Sequence, residues 1–256
     1  MFKEAQALDP RSIATARRLA ITQLWLRQYP EALDAAEKAL AIDPRAPDLH
    51  QVKVMVSLAQ GDLPGARAAI KAAESQVEQT AFVAWMATYW DLYWVLDDKQ
   101  QALLLRLPSG PFDDNRGTWG LAIAATYALR GDQARTRAYA DSSRVALEGQ
   151  LKDAPANVNI ELATALAYLG RRAEAVQQGE RIASLMARSK DAYVGSYVQH
   201  QLARIYLLVG EPEKALDQLE PLLKMPYYLS PGWLRIDPTF APLKGNPRFE
   251  RLVAGK

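Results

Sequence analysis

His50 and His200 are the only imidazoles in the chain, so they are the first side chains to test for acid-base or metal chemistry. Neither belongs to HExxH or any other spacing that converges ligands on a metal. A lone histidine on a helix is more often packed or solvated than catalytic. GDLPGARAAIK has two glycines but lacks the GxxxxGK[ST] spacing that aims backbone amides and a lysine at phosphates, so it reads as a turn between helices. In PSGPFDDNRGTW, residues 108–119, Asp113, Asp114 and Asn115 offer oxygens without the alternating acids and terminal glutamate of a calcium loop. Helix capping suits them better, with contact to a partner as the loop's functional alternative. Cysteine is absent, which removes thiolate nucleophiles, disulfides and cysteine-ligated metals together. No acid, base, nucleophile and oxyanion set can be assembled, so neither an enzyme, a cofactor nor a metal is expected.

Aromatic residues carry the remaining chemistry. AFVAWMATYWDLYWVL holds Phe82, Trp85, Tyr89, Trp90, Tyr93 and Trp94. At about 100° per residue, one helix puts Phe82, Trp85, Tyr89 and Tyr93 on one stripe and Trp90 and Trp94 on another. One stripe is expected in the core, and the other against a neighbouring element or on the surface. Tyr197, His200 and Arg204 share a second helical face by their spacing of three and four.

The elements that position these residues follow from a repeat. A short turn and a helix opening with a small residue recur as RQYPEAL, QGDLPGA, LDDKQQA, RGDQART, GRRAEAV and GEPEKAL. The anchor falls at Ala32, Ala66, Ala102, Thr136, Ala175 and Ala215, spacings of 34, 36, 34, 39 and 40 residues. Leu162, Leu166 and Leu169 keep helical period, as do Leu202, Ile205, Tyr206 and Val209, and both runs end at a glycine, Gly170 and Gly210. Alternating strand patterns bounded by hairpin turns are missing.

The chain resembles tetratricopeptide-repeat proteins, whose unit is about 34 residues. The first-helix pattern of that family is matched by Leu202, Ala203 and Tyr206, and by Ile123, Ala124 and Tyr127. Its second-helix pattern is matched by Ala32, Ala39 and Pro44 in RQYPEALDAAEKALAIDP, residues 27–44. Lys53 in the second unit, and Tyr89 with Trp90 in the third, depart from the pattern and predict first helices that are rotated or shifted. The resemblance implies an all-α, right-handed superhelical solenoid of about six helix pairs over residues 1–225, with units near 12–45, 46–79, 80–112, 115–153, 156–190 and 194–225. Ala32, Ala36 and Ala39 are then small because a neighbouring helix passes close by. Ser230-Pro231, Asp237-Pro238 and Asn246-Pro247 each put a capping side chain before a proline, predicting three short capping helices within residues 226–256. Phe240, Leu243, Phe249 and Leu252 are expected to close the apolar end of the array.

First helices line the concave face of tetratricopeptide arrays. Carrying over their contact positions gives a partner-binding groove of Arg17, Trp25, Gln51, Met55, Asp91, Trp94, Tyr168, Tyr197, His200 and Arg204, with Leu121 and Thr164 between them. Arg17 and Ile21 stand where the subfamily that clamps chaperone tails has its lysine and asparagine, so that specificity is not implied. The implied function is a non-catalytic scaffold that docks a protein or peptide segment. The tail also resembles tetratricopeptide regions fused to bacterial kinases, cyclases or winged-helix regulators, which implies, as the alternative, a ligand-sensing part of a larger signalling protein. A net charge of +2, from 31 basic and 29 acidic residues well mixed, gives no phosphate-binding surface, and nucleic acid is not expected. The opening MFKEAQALDPRS lacks the order of a signal peptide, and no run of about 18 apolar residues occurs, so no membrane insertion is expected. The compartment and the oligomeric state stay open, a cytoplasmic place being favoured over the extracytoplasmic part of a longer chain.

Overall fold

Ser12 opens the array by accepting the backbone N–H of Thr15, which caps α1 (Ile13–Trp25) and turns Ala16, Leu19, Ala20 and Leu24 inward. The computed structural model describes residue 9 and residues 11–153, 160–187, 189 and 191–255. Helix α2 (Tyr29–Leu40), begun at Pro30, folds back against α1. The same pairing repeats in α3 (Pro47–Ala59) with α4 (Leu63–Ala73), and in α5 (Gln79–Thr88) with α6 (Asp98–Leu104). It continues in α7 (Arg116–Leu129) with α8 (Gln133–Asp153), α9 (Glu161–Tyr168) with α10 (Arg172–Leu185), and α11 (Ala192–Val209) with α12 (Pro212–Leu223). First helices also stack on one another, α1 on α3 and α7 on α9 on α11. Among the described residues there is no strand, and the chain is an all-α, tetratricopeptide-like solenoid.

The anchor residues explain the stacking. Ala32, Ala66, Ala175 and Ala215 are all fully buried, and Thr136 is buried in the equivalent place with its hydroxyl donated to the Asp132 carbonyl at 2.8 Å. A larger side chain there would force the paired helices apart, at a cost of about 1–3 kcal/mol. Ala102 is the exception. It is half-buried while Gln101 and Leu104 point inward, because α6 is only seven residues long and its register is displaced by one.

The aromatic stretch does not form the single helix that its spacing predicts. Helix α5 stops at Thr88, Tyr89 is extended, and Trp90 (φ 66°) and Asp91 (φ 56°) are both left-handed before a 3₁₀ turn over Leu92–Trp94. Two such non-glycine residues cost about 1–2 kcal/mol each. Hydrogen bonds from distant units offset that cost: the Gln51 amide donates to the Tyr89 carbonyl at 2.8 Å, and the Asp91 carboxylate meets Arg204 at 3.0 Å. The stripes are therefore replaced by a corner that sends Tyr93 and Trp94 inward and leaves Tyr89 outside.

After α12 the chain crosses the face made by the first helices. Residues 224–230 are not helical, yet Tyr227, Tyr228 and Leu229 are fully buried. Ser230, Asp237 and Asn246 then cap α13 (Pro231–Ile236), a 3₁₀ helix over Pro238–Leu243, and α14 (Pro247–Val253). Arg248 on α14 pairs with Glu213, Asp217 and Glu220 of α12, tying the tail to the last unit. The same tail reaches the first two units. Arg27 donates to the carbonyls of Leu223 and Leu229 at 2.9 and 3.1 Å, and Ser230 donates to the Ala59 carbonyl at 2.5 Å.

Candidate binding site on the inner face

The inner face carries a polar network at its centre and an aromatic cleft beside it. At the centre, the Arg204 guanidinium on α11 meets the Asp91 carboxylate at 3.0 Å and donates to the Tyr93 hydroxyl at 3.2 Å. Asp91 also accepts from Gln201 at 2.6 Å and from the Tyr197 hydroxyl at 3.2 Å. Tyr93 and Tyr168 share a hydrogen bond, and burial pushes both hydroxyls above the ordinary phenol range, so they remain protonated. Burial opposes the charge of Arg204, but Asp91 and the surrounding oxygens outweigh it and hold the group protonated. The result is a satisfied polar network that fixes the corner after α5 against α11.

His200 lies one turn from that network. Its Nδ1 is 3.2 Å from the Tyr227 hydroxyl and 3.0 Å from that of Tyr228, its ring stacks on Phe240, and its Nε2 is buried without a partner. Burial, reinforced by Arg204, holds its pKa well below the usual histidine value, so the ring is neutral. This environment is a packing site for the C-terminal segment, with no open space at which a base could meet a substrate. Trp94 is buried likewise, its ring 6.4 Å from that of Trp233.

The open cleft lies between α1, α3, the α5 corner and the start of α11. Its cavity of about 170 Å³ is walled by Trp25, Trp85, Tyr89, Trp90 and Tyr193, with Gln51, Val52 and Met55 beneath and Asp48 in the rim. Trp25 and Tyr193 stack at 4.5 Å, Trp85 and Tyr89 lie 4.1 Å apart, and Trp90 sets its edge against both Trp25 and Tyr193. Gln51 is 3% exposed and fixes two walls at once. Its carbonyl accepts the Trp85 indole N–H at 3.1 Å while its amide holds the Tyr89 carbonyl. Tyr89 and Tyr193 remain 41% and 45% exposed, an unusual state for rings held this firmly. On the rim, Arg17 reaches Asp48 at 3.2 Å and Asp43 at 3.5 Å.

A second, polar cavity joins α5, α7, α9 and α11 and is lined by Asp91, Thr118, Glu161, Thr164, Tyr168 and Arg204, with Leu121 beside them. Thr118 donates to both Glu161 oxygens, at 3.2 and 3.1 Å. Among the described residues no group of acids and histidines has the geometry to hold a metal ion. Asn115 accepts the backbone N–H groups of Gly117 and Thr118 and caps α7, while Asp113 and Asp114 occupy left-handed turn positions. No helix of the described residues is long and apolar enough to cross a membrane.

The ten residues assigned to a groove from the sequence thus fall into three groups. Arg17, Trp25, Gln51 and Met55 belong to the aromatic cleft and its rim. Asp91, Tyr168, Tyr197 and Arg204 surround the polar network, and Trp94 and His200 are buried beneath the C-terminal segment. Tyr193 was not among the ten, although its spacing of four from Tyr197 placed it on the same helical face. Trp85, Tyr89 and Trp90 lie outside the ten because the continuous helix their spacing predicts ends at Thr88.

No family model matches the chain, and no curated protein matches it. Among solved structures the chain is similar to one described as "Podosopora anserina putative kinesin light chain nearly identical TPR-like repeats", with 20% identity over 83% of this chain and 93% of that one and a TM-score of 0.32.

Proposed function

We propose that the chain is a non-catalytic interaction module that docks a segment of a partner protein in the aromatic cleft. One observation carries this: Tyr89 and Tyr193 stay exposed in a cleft whose other walls are already positioned, Trp85 by its hydrogen bond to Gln51 and Trp25 and Trp90 by ring contacts. Rigid aromatic anchors supply large contact area at little entropic cost, and they dominate many interfaces. In this reading Arg17, Trp25, Gln51 and Met55 form the contact set, while Asp91, Trp94, Tyr168, Tyr197, His200 and Arg204 are the rigid backing. Arg17 and its two acids, at the rim, select the orientation of the incoming segment.

Affinity capture from the native cell tests this, comparing the wild type with a Tyr89→Ala/Tyr193→Ala variant. Both side chains are exposed, so the variant keeps its fold. Partners that the variant captures undiminished would remove the cleft from consideration.

A second reading, a ligand-sensing domain of a larger bacterial signalling protein, requires the polar cavity between α5, α7, α9 and α11, only about 30 Å³ in volume, to open around its ligand. Asp91, Glu161 and Arg204 line a space between helices of four units. A small molecule there would change how those units stack. Thermal-shift screening of Glu161→Gln beside the wild type tests it. A hit stabilising both proteins equally counts against the cavity.

A further inference from the structure

A separate recess of about 510 Å³ lies where α4, α6, the end of α7 and the start of the last 3₁₀ helix meet, and it shares no lining residue with the aromatic cleft. Two arginines reach it from different units. Arg67 comes from α4 in the second unit, and Arg130 caps the C-terminus of α7 in the fourth. Both are tied to one short stretch of the third. The Arg67 Nε donates to the Val95 carbonyl at 3.1 Å, and the Arg130 Nη1 donates to the Gln101 side-chain oxygen at 3.2 Å. Gln101 is itself buried, and its amide donates to the Leu96 carbonyl at 2.9 Å. Val95 and Leu96 are fully buried, so this stretch is a fixed reference for both guanidinium groups.

The acceptors that place these arginines are neutral, so each side chain is held while its charge stays uncompensated. Arg248, by contrast, is saturated by three carboxylates. Among the described residues no carboxylate pairs with Arg67. Asp98 faces Arg130 at 3.7 Å with its side chain 97% exposed, so water already screens that pair. Two guanidinium groups against one solvated carboxylate leave the lining positive, and its other walls, Leu63, Trp94, Leu129, Ile236 and Pro238, are apolar. We infer that this recess binds an acidic segment of a partner protein, one in which paired carboxylates are flanked by leucine-like side chains. Guanidinium forks match carboxylates in geometry as well as charge, and the flanking side chains cover Leu63 and Leu129. A bare inorganic anion would leave the apolar walls unused. A nucleic acid strand needs a basic stripe along its backbone, which two arginines and an acid do not supply. The surface is additional to the aromatic cleft and independent of it.

The test is a titration of the full chain with the peptide Ac-GLEELG-amide, followed by the arginine Nε–H signals in NMR. Its neutral counterpart Ac-GLQQLG-amide, inorganic phosphate and a short oligothymidylate serve as the comparison probes. The acidic peptide is expected to shift the Arg67 and Arg130 signals saturably, while the neutral one leaves them in place. Arg67→Gln and Arg130→Gln are each expected to weaken binding by about fivefold. Both side chains are exposed, so the variants keep their fold. Asp98→Asn removes the competing carboxylate and is expected to tighten binding by about twofold, a gain that unfolding cannot produce. No saturable shift, equal binding of the neutral peptide, weaker or unchanged binding in Asp98→Asn, or displacement of the peptide by phosphate or oligothymidylate at equal concentration would each overturn the proposal. The Tyr89→Ala/Tyr193→Ala variant should bind the acidic peptide as the wild type does. Loss of the peptide in that variant would place it in the aromatic cleft and remove the recess from consideration.

Discussion

Arg204 on α11 and Asp91 at the corner after α5 meet at 3.0 Å, joining the last tetratricopeptide-like unit to the third across the inner face. The guanidinium side chain is 8% exposed and the carboxylate 23%, so water screens the pair only in part. Removing one partner strands the other, and Asp91→Ala is expected to destabilise the chain by about 3 kcal/mol. Replacing both by apolar residues, Asp91→Leu with Arg204→Met, should recover only part of that loss: no guanidinium is stranded, but Gln201 and Tyr197 still lose their acceptor. Urea midpoints of the two variants decide it. A double variant as unstable as Asp91→Ala would mean that the pair contributes through shape alone.

His200 makes stability depend on pH in a stated direction. Its folded pKa is held well below the ordinary value, by burial first and by Arg204 second. Below about pH 6.5 the unfolded chain therefore binds a proton that the folded chain refuses. The contribution of His200 is complete above that pH and is lost as pH falls toward the folded pKa, with a slope approaching ~1.4 kcal/mol per pH unit. Asp237 runs the other way. Burial raises its carboxyl, so its contribution is present at low pH and is lost as pH rises through the raised value. The difference between wild type and His200→Gln isolates the histidine. Urea midpoints between pH 7.5 and 5.0, a range of about 2.5 units, are expected to fall more steeply in the wild type.

Local chemistry made the array legible in the sequence. Ala32, Ala66, Thr136, Ala175 and Ala215 had to be small wherever two helices touch, and each is buried at that contact. The three cap-proline pairs likewise marked the starts of α13, the last 3₁₀ helix and α14, because a cap acts on its own first turn. The candidate site was less legible. Trp90 and Asp91 leave the helix without a glycine or proline to announce it, held by Gln51 and Arg204 from units far away in sequence. Periodicity treats every residue as part of one element, so it could not show that Tyr89 turns outward while Tyr93 turns in.

Gly232 is where the tail meets the second unit. A Cβ there would lie 2.6 Å from the Ala59 carbonyl oxygen and 2.8 Å from the Gly61 nitrogen, both rigid backbone atoms. Gly232→Ala must push α13 away from α3, at a cost of about 1–3 kcal/mol. Ser230→Ala removes a bond to Ala59 and the cap of α13 together, costing about 1–2 kcal/mol. Hydrogen exchange is expected to show faster opening around Tyr227 and Tyr228 in both variants, with α7 to α10 unchanged. Uniform acceleration throughout would mean that the tail and the array open as one unit.

Gln51 links stability to the cleft itself. It is buried, accepts from the Trp85 indole and donates to the Tyr89 carbonyl, so one side chain sets the spacing of two walls. In Gln51→Leu the volume is kept but two part-buried polar groups lose their partner. The expected cost is about 1–3 kcal/mol, the range for leaving such groups unsatisfied. The carbonyl at Tyr89 then no longer holds the residue before the left-handed pair, so the corner relaxes and Trp85 gains freedom. Near-ultraviolet circular dichroism should weaken while the helical signal in the far ultraviolet persists, and binding in the cleft should fall without a change in Tyr89 or Tyr193. Gln51→Glu separates the two roles, since a carboxylate can still accept from Trp85 but cannot donate to Tyr89. If it restores the near-ultraviolet signal fully, the indole contact alone shapes the cleft and the backbone bond to the corner is dispensable.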